Sequence, residues 1–318
     1  MTPEQVVQGV REGKRRAIGR AISMTESPGP DGRAVLAALH PLTGRAIRLG
    51  LTGPPGAGKS TLTAVMVRHL RAMGKTVAIV SVDPSSPFTD GAVLGDRIRL
   101  VDHFLDHGVF IRSMATRGHL GGLSEATGHA VEVLDAAGFD VVIIETVGAG
   151  QNEVEVQALA DTVVLVLIPG SGDAIQAIKA GVMEIPDVVV INKADRPGAD
   201  VLAGEIDQAL TLIPHEGWKA PVLLTTAIDG EGVEALWQAV QDHRAALAQG
   251  DAMDARRREG MRRRLRTLAL EHLARELDAA IDEAALDELA ARVVARDIDP
   301  SAAADTMTEA ARRRGSGA

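Results

Sequence analysis

Cysteine is absent from the 318 residues, which excludes disulfides, thiolate zinc sites, iron–sulfur clusters and cysteine nucleophiles at once. Long apolar runs are absent too. No stretch approaches the roughly 20 residues of a membrane helix. The opening MTPEQVVQGVREGKRRAIGR interleaves charges and lacks the apolar core of a secretory signal. The expectation is a cytoplasmic protein without membrane contact. Basic charge is in deficit, with 34 Lys+Arg against 43 Asp+Glu and a net charge of -9, so the surface as a whole is no counter-ion for nucleic acid. Aromatics make up only 2%, and six of the 34 basic residues are lysine, so each lysine is a candidate for a specific task. What remains is 46% hydrophobic and 24% charged, the balance of a globular protein with a sizeable core and no internal repeat.

From Ala46 to Thr226 short apolar runs alternate with helical patterns, which predicts βαβ units around a parallel sheet. The expected strands are Ile47–Leu51, Thr76–Val82, Val109–Ser113, Val141–Glu145, Thr162–Ile168, Val188–Ile191 and Val222–Thr225. Most are continuous Val/Ile/Leu runs, so both faces should be covered by helices in a doubly wound α/β domain. Residues 2–24 fit one helix with apolar positions Val6, Val10, Ala17 and Ala21, followed by a Ser/Pro/Gly breaker and a short helix near Ala34–Leu39. Beyond Gly250 the strand signal ends. Leu270, Leu273, Leu277 and Ile281, then Leu286, Leu289 and Val293, mark two amphipathic helices that must bury their stripes on the core or on a second copy of the chain. Residues 312–318 read as a frayed tail. The expected organisation is an N-terminal helical segment 1–45, a nucleotide domain 46–250 and a helical dimerisation arm 251–318.

Gly53-Pro54-Pro55-Gly56-Ala57-Gly58-Lys59-Ser60-Thr61 matches G-x-x-x-x-G-K-[ST] between a strand and the helix Thr61–Met73. The glycines let backbone N–H groups converge on phosphate oxygens, and the helix N-terminus adds favourable partial charge. Lys59 would bridge the outer phosphates and Ser60 would ligate magnesium. Downstream, Asn192-Lys193-Ala194-Asp195 ends a predicted strand. The Asp195 carboxylate can accept from guanine N1–H and the exocyclic amine, whereas adenine presents an acceptor there. Asn192 would brace the loop and Lys193 would lie along the base. Thr226 and Ala227, at the end of the next strand, fit a loop whose backbone N–H meets the guanine oxygen.

Two carboxylates close predicted strands on the same sheet edge. Asp83 opens Asp83-Pro84-Ser85-Ser86-Pro87. Glu145 opens Glu145-Thr146-Val147-Gly148, where the carboxylate would hold magnesium or its waters and the Gly148 N–H would reach a γ-phosphate. Asp96, on a glycine-containing loop, is a candidate for metal coordination or for orienting the attacking water, a solvated loop aspartate being the plain alternative. Asp173 follows a glycine hinge and, taken alone, reads as a helix N-cap. The histidines lack metal-ligand spacing. Residues 256–266 hold seven arginines, but 13 Arg balance 14 Asp+Glu over 251–318, which favours a solvated or salt-bridged helix face.

These motifs in this order, with Glu-Thr-Val-Gly in place of Asp-x-x-Gly, resemble the SIMIBI class of P-loop GTPases. Residues 50–61, Asp83–Pro87, Leu94–Arg97, Arg112–Gly118 and Glu145–Gly148 look like the MeaB/ArgK family over nearly the whole chain. The resemblance implies a GTPase chaperone of adenosylcobalamin-dependent methylmalonyl-CoA mutase, one that gates cofactor loading and protects the mutase. It implies that Asp83, Asp96 and Glu145 surround magnesium and the hydrolytic water. It further implies that the segment Asp173–Lys179 is a switch, with Gln176 and Lys179 contacting the mutase. No arginine finger is assignable, so slow intrinsic turnover is expected, accelerated by the partner. The rival within the class, a metal-delivering GTPase, would need a Cys- or His-rich site that this chain lacks.

Overall fold

The computed structural model describes residues 1–26, 29–83, 105–115, 125–146, 152–170, 186–212 and 217–315. Among the described residues seven strands form one sheet: β1 (Ile47–Thr52), β2 (Val77–Asp83), β3 (Val109–Ala115), β4 (Val141–Thr146), β5 (Thr162–Leu167), β6 (Val188–Asn192) and β7 (Val222–Thr225). Their order is β3-β2-β4-β1-β5-β6-β7 and every pairing is parallel. Each lies within two residues of its expected limits. All six residues of β4 and of β5 are buried, as two covered faces require.

Alternation along the strands divides the core into layers. Val142 and Ile144 of β4 face α1 (Pro3–Arg11), α2 (Arg15–Thr25), α3 (Pro30–Leu39), α5 (Glu125–Ala136) and α6 (Asn152–Leu159). Val141 and Ile143 face α4 (Lys59–Ala72) and α8 (Val233–Leu247). Leu165 and Leu167 of β5 meet α7 (Ala199–Thr211). Helix α4 therefore lies under the centre of the sheet, opening where β1 ends.

The single N-terminal helix expected over 2–24 is two. The chain turns at Gly13, in the left-handed region at φ 67°, and a Cβ at Gly9 would sit 2.5 Å from Ala17 Cβ, so the hairpin needs both glycines. The apolar period runs through Val10 and Ala17 without a break, which is why periodicity misses the turn. Thr2 and Gln5 close a capping box at the start of α1.

The opposite, N-terminal edge of the sheet is held by aspartates that directly precede strands. Asp161 accepts from Arg48 N (3.2 Å), Asp187 from Val163 N (2.8 Å) and Asp140 from Thr76 N (2.7 Å). Asp161 and Asp187 are buried and each receives a two-bond guanidinium, from Arg257 and Arg256 respectively. These arginines open the run 256–266 and stand in the first turns of α9 (Ala252–Ala280). His243 completes the cluster, its Nε2 3.3 Å from Asp187 and its Nδ1 2.9 Å from the Thr162 hydroxyl. Burial, with help from the Arg256 charge, pushes its pKa below the ordinary value despite the neighbouring carboxylates.

The chain divides into two compact units, Met1–Gly260 and Met261–Ala318. The first takes in the opening turns of α9 that carry Arg256 and Arg257. The second contains the rest of α9, then α10 (Glu283–Val294), N-capped by Asp282, and α11 (Pro300–Gly315). The region read as a frayed tail is helical as far as Gly315, with proline in its first turn. Leu265, Leu270, Leu273 and Leu286 of this unit are exposed. Among the described residues no helix is long and apolar enough to cross a membrane.

Candidate nucleotide site

The loop between β1 and α4 is shaped by glycine where nothing else fits. Gly53 has φ 138°, and a Cβ there would stand 2.1 Å from the Val166 carbonyl oxygen of β5. Gly58, at φ 89°, would put a Cβ 2.4 Å from Asn192 Nδ2. Gly56 also has positive φ, 76°. Helix α4 begins at Lys59, so its unpaired first-turn N–H groups face the loop, the arrangement that suits an anion. The buried Lys59 ammonium donates to the carbonyls of Gly53 (2.7 Å) and Pro54 (3.0 Å), spanning the mouth of the loop.

Glu145 lies one strand over, opposite Leu51 of β1 and Ser81 of β2. It is buried and receives two hydroxyls, Ser60 Oγ on Oε1 at 2.5 Å and Thr63 Oγ1 on Oε2 at 2.9 Å. Asp83 closes β2, two residues past the partner of Glu145, which places its backbone at the same edge. Thr61 follows Ser60 in the first turn of α4.

The Asn192–Asp195 box stands at the end of β6 and is joined to the phosphate loop. Asn192 Nδ2 donates to Ala57 O (2.8 Å), while its Oδ1 accepts from Thr225 Oγ1 (3.1 Å) and Ala227 N (3.2 Å). Lys193 adopts φ 57°, unusual for a residue with a side chain, and its ammonium reaches Gly56 O at 2.8 Å. Ala194 N donates to Thr225 O, and Thr226 N to Glu231 O. Asp195 is exposed at the rim.

The structure thus gathers Gly53, Gly56, Ala57, Gly58, Lys59, Ser60, Glu145, Asn192, Lys193, Thr226 and Ala227 on one side of the sheet. Asp96, Gly148, Asp173, Gln176 and Lys179 lie outside the described residues, as does the Asp83 side chain. Thr63 is the member that motif reading passes over. Its signal was its place three residues after Ser60, which puts both hydroxyls on one face of α4.

Ligand sites of open parallel sheets form where the strands end, and here that edge carries a phosphate loop, a buried carboxylate and a base box linked by hydrogen bonds. Fold and site together define a P-loop nucleotide hydrolase. Residues 18–282 match the family described as methylmalonyl Co-A mutase-associated GTPase MeaB, and the chain belongs to that family of GTPases. A probable GTPase of Mycobacterium tuberculosis is 44% identical over 267 residues, covering 81% of this chain and 80% of that one. The mitochondrial methylmalonic aciduria type A homolog of Mus musculus is 33% identical over 276 residues, covering 80% and 66%. A crystal structure of a LAO/AO transport system kinase superposes with a TM-score of 0.72 at 28% identity, covering 96% of each chain.

Proposed function

We propose that this GTPase uses its nucleotide state to gate adenosylcobalamin loading into a methylmalonyl-CoA mutase and to protect that enzyme, with the mutase accelerating an intrinsically slow hydrolysis. Family membership supports the partner, since the family is described by its association with that mutase. The observation that carries the chemistry is the buried triad of Ser60, Glu145 and Thr63 beside the phosphate loop. In this reading the loop amides from Gly53 to Thr61 and the Gly148 N–H hold GTP or GDP. Lys59 neutralises the outer phosphates as charge develops on them. Asn192, Lys193, Asp195, Thr226 and Ala227 receive the base.

Magnesium suits the donors present, because a serine hydroxyl and a carboxylate are hard oxygen ligands, with no sulfur or imidazole among them. Ser60 would hold it, with Glu145, Asp83 and Asp96 on it or on its waters. When bound, it supplies positive charge against the phosphate oxygens. Asp96 and Glu145 are also the residues assigned to the hydrolytic water, and Asp173, Gln176 and Lys179 form the contact that relays nucleotide state to the mutase.

Hydrolysis by the purified chain, alone and with adenosylcobalamin-dependent methylmalonyl-CoA mutase, tests both halves, with ATP as control. Stimulation confined to GTP and the mutase is the expected result. GTP turnover that ignores the mutase would keep the GTPase and remove the partner.

The exposed leucines of the second unit belong to the same proposal. Leu265, Leu270 and Leu273 are each more than half exposed, and a second copy of the chain covering them makes a homodimer. Light scattering should give twice the mass of one chain; a monomer at micromolar concentration would count against the dimerisation arm.

A further inference from the structure

We propose that Thr63 is a positioning residue for the magnesium site, acting through Glu145; this rests on the reading of Ser60 and Glu145 as metal-holding groups. Thr63 is fully buried, one turn along α4 from Ser60. Its hydroxyl donates to Glu145 Oε2 at 2.9 Å, while the other carboxylate oxygen takes the Ser60 hydroxyl at 2.5 Å. Both oxygens of one carboxylate thus take a hydroxyl from a single helix.

That arrangement has a consequence for Ser60. A serine hydroxyl has one proton and two lone pairs. With its proton given to Glu145, the Ser60 oxygen can meet a cation only through a lone pair, and the direction in which that lone pair points depends on where Oε1 is fixed. Thr63 fixes it by holding Oε2. Without the Thr63 hydroxyl the carboxylate can rotate about its last bond to recover a donor, and Ser60 loses its orienting acceptor. Groups that orient a metal ligand in this way typically contribute 10–100-fold to metal affinity. A hydroxyl that only satisfied a buried carboxylate would contribute to folding stability and leave metal dependence untouched.

The test compares wild type, Thr63→Val and Thr63→Ser by following dissociation of a fluorescent GDP analogue as magnesium is titrated, with thermal unfolding recorded alongside. Val should raise half-saturating magnesium by about tenfold, leave GDP-analogue affinity in excess chelator within about twofold, and be rescued by Ser. If the valine variant fails to fold, Thr63→Ala removes the same hydroxyl and carries the same expectation. Wild-type magnesium dependence in a folded variant lacking the hydroxyl overturns the role of Thr63 while leaving the metal site standing. Dissociation from wild type that does not respond to magnesium overturns the metal reading itself, and this inference with it.

Discussion

Lys59→Ala should lower GTP turnover by about a hundredfold or more while leaving the fold in place. The loss follows from charge. As the γ-phosphoryl group transfers, negative charge moves onto oxygens that a fixed ammonium can neutralise, and a single preorganised donor of this kind is worth about 10²–10³ in rate. The survival of the fold follows from how the loop is built. Lys59 bonds the Gly53 and Pro54 carbonyls, but the loop is also held by Asn192 on Ala57 O, by Lys193 on Gly56 O and by Ala57 N on Pro54 O. Gly53 and Gly58, where β5 and Asn192 leave no room for a side chain, are untouched by the substitution. Alanine also carries no penalty near the start of a helix. Steady-state hydrolysis and a thermal melt on the same preparation separate the two effects, and turnover near the wild-type rate would remove Lys59 from the phosphate site.

The contrast between Lys59 and Thr63 shows what the sequence makes visible. Lys59 is legible because its neighbours are forced: the loop needs glycine at 53, 56 and 58, and that spacing is rare enough to carry meaning. The strands are legible for a similar reason. A strand covered on both faces, such as Val141–Thr146, is apolar up to its C-terminal end, so Glu145 stands out against Val-Val-Ile-Ile. Thr63 has no such background, since a threonine in an amphipathic helix is unremarkable until its partner is known, and that partner is 82 residues away.

The same limit hides the N-terminal edge of the sheet. Asp161 and Asp187 look like ordinary turn residues before strands, and Arg256 and Arg257 look like part of a solvated or salt-bridged helix face whose partners the sequence does not name. Pairing them requires knowing that residues 69 and 96 apart in sequence meet. Composition could say only that the charges of the region nearly balance. The break at Gly13 was hidden differently, because the apolar positions on its two sides fall on one helical period by coincidence of turn length.

The base box is where legible residues and hidden contacts combine, and Asp195→Asn should change nucleotide choice more than any other substitution in the chain. The carboxylate offers two acceptors to guanine, matching N1–H and the exocyclic amine. An amide offers one acceptor and one donor, which matches xanthine, whose second carbonyl replaces that amine. Sites that read a base through such polar matches discriminate by about 10⁴, because a mismatch leaves buried groups unpaired. The substitution should therefore lower kcat/KM for GTP by about three orders of magnitude and raise it for XTP, leaving ATP poor throughout. The scaffold gives the experiment its clarity. The box is anchored through the neighbours of Asp195: Asn192 to Ala57, Thr225 and Ala227, Lys193 to Gly56, and Ala194 to Thr225. Asp195 stands exposed beyond them, so its exchange for an isosteric amide alters what the rim recognises and leaves the loops where they are. Kinetics with GTP, XTP and ATP on wild type and variant decide the matter: a switch toward XTP assigns base choice to Asp195, and an unchanged GTP/XTP ratio places that choice elsewhere.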